Sequence, residues 1–190
     1  MPVICCIAGL LFSLLLKAQP NPEKGLPLIT NYTPKTFKAL PQAWCAIEDS
    51  RGIMYFGVQA TILEYDGVKW RKVIFKGTPP AVVRSFARDK NGLIYYGASG
   101  DFGYLAQDSL GQTQAVSLRE YVPEAYRNFY DVWTIYVNGS EVYFQSREFI
   151  FRLNEKKEVK TWIPKTKFMY AFFYDNTNYF IFFYVLNMKQ

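Results

Sequence analysis

Histidine is absent from all 190 residues, so no Ser-His-Asp triad, no His-bearing zinc site and no imidazole base can be assembled within this chain. Cysteine is scarce. Of the three, Cys5 and Cys6 lie in the N-terminal apolar run, which leaves Cys45 alone, unable to form a disulfide and placed beside Trp44 as a small core residue. Long hydrophobic runs are missing too: the apolar stretch 3–16 is shorter than the roughly 20 residues a membrane helix requires, and no membrane span is expected. That stretch, followed by Lys17-Ala18-Gln19-Pro20, is read as a secretory signal over 1–18, although no Lys or Arg precedes it. The location implied is periplasmic or extracellular. Basic runs are also lacking. The net charge of +6 comes from Lys and Arg scattered singly, which serves solubility, and no nucleic-acid partner is expected of this segment.

What the chain has in quantity is aromatic residues, with 16 Phe, 15 Tyr and 4 Trp, as expected where sheets stack and rings fill the space between them. They recur in a pattern. Asp49-Ser50-Arg51-Gly52-Ile53-Met54-Tyr55-Phe56-Gly57 matches the passage from Asp89 to Gly97 at the Asp, both Gly and the first Tyr, with a spacing of about 40 residues. A looser third copy has its turn at Asn138-Gly139-Ser140 and Tyr143-Phe144 in place of Tyr95-Tyr96. Glycines at 92, 97, 100 and 103 would each cost a helix about 1 kcal/mol, so the short β-branched and aromatic runs between them are strands. An all-β repeat of this length points to propeller blades, each a four-stranded antiparallel sheet. The expected fold is therefore a partial β-propeller of about three blades, at 43–75, 82–117 and 131–163.

Residues 19–42, with Pro27, Pro34 and Pro41, are expected to be an extended leader. In the first blade the strands are placed at 43–48, 53–56, 62–65 and 69–75, with Asp66-Gly67 as a hairpin turn. The second blade ends in a strand over 113–117, and 119–128 is a longer connection with a helical turn. The third blade takes strands at 131–137, 141–145, 149–153 and 159–163. After Pro164 the glycines stop and Phe, Tyr, Asn, Lys and Ile dominate; residues 164–190 are read as an atypical tail, truncated or out of frame.

Asp49 and Asp89 are the evident carboxylates, but their place is structural. An Asp opening a tight turn accepts hydrogen bonds from amides two or three residues on, before Gly52 or Gly92 takes a positive φ. No catalytic residue, metal site or cofactor is expected. Asp101, Phe102 and Tyr104 follow Gly100 in a passage without counterpart in the first blade, and are the candidate ligand contacts, set against the plainer reading of a local turn.

The segment from Leu40 to Gly57, with Leu63-Glu64-Tyr65-Asp66-Gly67 after it, resembles the repeat of two-component regulator propellers. So does Asp89 to Leu105, whose Gly97-Ala98-Ser99-Gly100-Asp101-Phe102-Gly103-Tyr104-Leu105 is similar to the variant in regulators that also carry a triple-tyrosine domain. Tyr55 and Tyr95 stand where a Trp is usual. The resemblance implies an extracytoplasmic ligand-sensing region of a signal-transduction or transcriptional regulator. Its ligand would be a glycan or another small molecule, and its partners the remaining blades and the triple-tyrosine domain. The output of such a protein is a histidine kinase or a DNA-binding domain, so this segment itself is not expected to be an enzyme. Two other readings stay open at this point: a secreted propeller enzyme acting on glycans in the manner of a sialidase or lyase, and a non-functional truncated fragment.

Overall fold

In the computed structural model, residues 29–174 and 177–182 are described. The expected signal segment 1–18 and the end of the tail, 183–190, lie outside the described residues. Residues 29–31 are exposed and belong to a unit of their own; everything below concerns the unit that begins at Tyr32.

The first sheet has the order β1 (Ala43–Glu48), β2 (Met54–Val58), β3 (Thr61–Tyr65) and β4 (Trp70–Lys72), each strand antiparallel to the next. The second contains β6 (Val83–Arg88), β7 (Ile94–Ala98), β8 (Asp101–Gln107) and β9 (Thr113–Ser117), again antiparallel. The third runs β10 (Thr134–Asn138), β11 (Glu141–Gln145), β12 (Ile150–Leu153) and β13 (Val159–Trp162). First strands of successive sheets stand side by side, β1 against β6 and β6 against β10. The chain is thus all-β, with its sheets arranged as in part of a propeller.

Apart from strand limits that shift by a few residues, such as β10 beginning at Thr134 rather than at 131, three larger features differ from the pattern read in the sequence. The last strand of the first blade does not run unbroken over 69–75. It breaks at Val73, which turns into the core with its N–H donating to the Ile62 carbonyl at 2.9 Å; β5 (Ile74–Phe75) then pairs in parallel with β9, giving the second sheet a fifth strand. Within the expected extended leader, α1 (Pro34–Phe37) makes one helical turn, opened by a proline in the first turn and closed by Lys38 at φ 54. The tail also contains regular structure: β14 (Phe168–Tyr174) pairs antiparallel with β15 (Thr177–Phe182), and β14 lies beside β10 as β10 lies beside β6.

Between sheets lie the cores. Tyr55, Ile62, Val83, Tyr96 and Leu105 fill the space between the first two sheets. Phe102, Phe144 and Phe151 stack between the second and third, with ring centroids 4.3 Å and 5.1 Å from Phe102. Each such ring, fully buried, contributes roughly 1.5–3 kcal/mol. Close approach of the sheets requires glycine. A Cβ on Gly97 would sit 2.6 Å from Val132 Cγ1 and 2.9 Å from the Val132 carbonyl oxygen, and Gly57 meets Val83 in the same way. In the third sheet Gln145 occupies the corresponding place, 1% exposed, with neither amide atom hydrogen-bonded among the described residues.

Candidate functional site

The three candidate ligand residues share β8 but not a site. Strand alternation puts Asp101 on the opposite face from Phe102 and Tyr104. Phe102 is fully buried in the ring stack between the second and third sheets, so it presents no surface to a ligand, and the sequence expectation for it is corrected. Asp101 borders an open cleft of about 500 Å³ with Lys76, Ser99 and Arg119. Its carboxylate is already occupied, accepting from the Tyr96 hydroxyl at 2.9 Å and the Ser117 hydroxyl at 2.6 Å. Burial raises its pKa above the ordinary carboxylate value, and the two hydroxyls only partly offset this. Tyr104 borders a separate cleft toward the other end of the sheets, beside Asp89 and Lys90, with Lys157 Nζ 5.9 Å from its ring centre.

Asp49 and Asp89 close turns. Asp49 Oδ1 accepts from the amides of Arg51 at 2.8 Å and Ile53 at 3.1 Å; Asp89 Oδ1 accepts from those of Asn91 at 2.8 Å and Leu93 at 2.9 Å. Gly52 and Gly92 follow at φ 80 and 89. Burial of the Cys45 thiol pushes its pKa up to about 12, which leaves it unreactive at neutral pH.

A different group gathers at the opposite ends of the first strands. Register skips one residue in β1, between Ala43 and Cys45, and one in β6, between Val83 and Ser85. The residues skipped are Trp44 and Arg84. Such a bulge frees a side chain from the pleat and re-aims it. Trp133 enters β10 at the equivalent position, its amide donating to the Gln145 carbonyl at 2.9 Å, and Met169 is the residue skipped in β14. The Arg84 guanidinium lies between two indoles, 3.8 Å from the centre of Trp44 and 4.7 Å from that of Trp133. Arg147, in the turn between β11 and β12, stands 5.8 Å from Trp133 and extends the row.

The row is held from beneath. Arg84 Nη2 pairs with Asp131 Oδ2 at 3.1 Å, and the other Asp131 oxygen accepts from the Ser99 hydroxyl. Arg84 Nε and Nη1 are buried without a hydrogen-bond partner. Trp44, Trp133 and Met169 are nevertheless 42%, 39% and 42% exposed, and Tyr130, three residues before Trp133 in the chain, is 76% exposed. Indole faces and guanidinium planes can hold a flat or ring-shaped ligand by stacking, and an Arg can hold an anion. No cluster of acidic, Cys or His side chains able to hold a metal occurs among the described residues.

No protein-family model matches the chain, and no curated protein matches it. The site therefore stands on its own geometry. Sequence reading passed over Trp44, Arg84 and Trp133, yet each precedes by the same interval the residue that opens its blade's first turn, Asp49, Asp89 or Asn138. That shared offset was the available signal. It was hidden because the three positions carry different residue types.

Proposed function

We propose that this chain is the ligand-sensing propeller region of an extracytoplasmic signal-transduction or transcriptional regulator, of the kind that two-component regulator propellers exemplify. One observation carries the reading: at the same blade position, three neighbouring sheets bring Trp44, Arg84 and Trp133 into one stacked row, in which Arg84 is mostly covered and the two indoles stay partly open to solvent. Large rings half open to solvent at the ends of packed strands are a binding surface, because their burial by a ligand releases apolar area from water. Nothing in the row is a nucleophile or a general acid, so binding without turnover is its natural chemistry.

The experiment is titration of the full chain with a broad panel of neutral and charged glycans, followed by tryptophan fluorescence, since two of the four tryptophans lie in the row. Saturable quenching by at least one glycan, recovered intact afterwards, is the expected result. Cleavage of the glycan would assign the chain to the enzymes instead, and a flat response across the whole panel would remove the sensing reading.

A further inference from the structure

The Asp-to-Gly turn recurs in the first two blades, but one of its side chains does not. Between the first and second sheets Arg51 crosses the gap. Its Nε and Nη2 donate to Asp49 Oδ2 at 3.0 Å and 2.7 Å, and Nη2 lies 3.3 Å from the Tyr55 hydroxyl oxygen. Gln107 of the second sheet, with its amide oxygen turned inward, accepts from the same guanidinium. About 40 residues on, Asp89 closes its turn in the same way and Tyr95 hydrogen-bonds to its carboxylate, yet Asn91 stands at the place of Arg51. Across the gap, two residues past the core leucine of the third strand, Glu155 is the counterpart of Gln107. The result is an open cleft of about 400 Å³ between the second and third sheets, lined by buried Leu118, Val142 and Leu153 and by Tyr104. Asp89 and Glu155 border it, and neither forms an ion pair among the described residues. The rim lysines, Lys90 and Lys157, are exposed and pair with neither carboxylate; Lys157 instead sets its Nζ 5.9 Å from the Tyr104 ring centre.

We infer that this cleft binds the alkylguanidinium group of a ligand, such as an arginine side chain carries, at the Asp89 and Glu155 carboxylates and in the place that Arg51 takes one blade earlier. The site lies at the opposite end of the sheets from the Trp44 row and does not rest on it. A planar guanidinium presents paired N–H groups that match carboxylate oxygens, and its face can lie on the Tyr104 ring. Its alkyl stem covers the apolar lining as it would on any apolar surface. Two carboxylates and two lysines leave the cleft near neutrality, so selection comes from the fit of the fork at close range rather than from attraction at a distance. An ammonium is more strongly hydrated and lacks the fork, which makes it the poorer ligand.

The test is a nuclear magnetic resonance titration of the isotope-labelled full chain with butylguanidinium, with butylammonium, and with butylurea, which has the same shape and no charge. Butylguanidinium is expected to shift the backbone amides of residues 89–93 and 153–157 saturably. Butylurea should bind about tenfold or more weakly, since a charged hydrogen-bond contact is lost, and butylammonium should fall between the two. Asp89→Asn keeps an oxygen for the turn amides and should weaken butylguanidinium about tenfold; Glu155→Gln, at an exposed position, serves if Asp89→Asn does not fold. Asn91→Arg should supply the guanidinium from within the chain, as Arg51 does, and abolish the shifts at an equal or higher urea midpoint. Free arginine and Nα-acetyl-arginine amide distinguish the source of the group: tighter binding of the first marks a small ligand, and of the second an arginine within a polypeptide. No binding of butylguanidinium, equal binding of butylurea, undiminished binding by Asn91→Arg, or shifts confined to the surroundings of Trp44 and Trp133 would each overturn the inference. None of these results bears on whether the row binds a glycan, so the two readings fail separately.

Discussion

Where each first strand ends in its hairpin turn, Asp49 and Asp89 satisfy their carboxylates with amides no more than four residues away, and Asp108 does the same after β8. Where the first strands begin, nothing is satisfied locally. Arg84 needs Trp44 from the preceding sheet and Trp133 and Asp131 from the following one, and even then two of its nitrogens lack partners. Turns of the first kind form whenever a few residues adopt the right φ and ψ. Contacts of the second kind exist only after three sheets have packed, so their loss reports on assembly rather than on a hairpin.

The largest expected effect separates two glycines. Gly92 sits in a turn at φ 89 with Ser50 Oγ, at 3.9 Å, the nearest heavy atom to an added Cβ. Gly92→Ala should therefore cost only backbone strain, about 1 kcal/mol. Gly97 faces Val132 Cγ1 and the Val132 carbonyl oxygen at 2.6 Å and 2.9 Å, and a backbone oxygen cannot give way cheaply. Gly97→Ala should cost about 3 kcal/mol or more. Urea midpoints measure both; equal losses would erase the distinction between the two ends.

A second pair compares arginines. Arg84→Leu leaves the Asp131 carboxylate with Ser99 alone in a site where the paired side chains were 13% and 18% exposed, and should cost about 2–3 kcal/mol. Arg51→Ala removes the Arg51–Asp49 pair, whose arginine is 50% exposed, and should cost no more than about 1 kcal/mol. Arg84→Leu should also be non-additive with Trp133→Ala, because each side chain stacks on the other. Additive losses would show that the row consists of independent contacts.

The same division decides what could be read from the chain. Strand patterning and Asp-to-Gly spacing are local, so the limits of β1, β9 and β11 follow from the residues alone. The parallel β5 does not, since Ile74–Phe75 joins β9 only because Val73 turns inward. Phe102 looked like a ligand contact for want of knowing which strand face the third sheet would cover. The row itself was invisible: Trp44, Arg84 and Trp133 are alike in position and unlike in chemistry, and a repeat is found by likeness of residues. The hairpin of β14 and β15 was missed for a related reason, as its strands carry no glycine turn pattern.

The smallest expected effect concerns two carboxylates whose titration should run in opposite directions. Burial opposes ionisation of Asp49, but hydrogen bonds from the Arg51 side chain and from the Ile53 and Arg51 amides outweigh it, and its pKa is lowered. That stabilisation is present above the unfolded value, about 3.9, and is lost as pH falls through the lower folded value. For Asp101 burial prevails over the Ser117 and Tyr96 hydroxyls and the pKa is raised. The folded chain then holds that proton more tightly than the unfolded one, so stability falls as pH rises from about 4 through the folded value. Denaturation of Asp49→Asn and Asp101→Asn from pH 3 to 6 resolves the signs. The deficit of Asp49→Asn should be greatest at pH 6 and shrink toward pH 3, whereas Asp101→Asn should improve relative to the wild type as pH rises. If both differences moved the same way with pH, the local satisfaction of Asp49 and the desolvation of Asp101 would not be distinct in energy, and the contrast between the two ends would be one of position only.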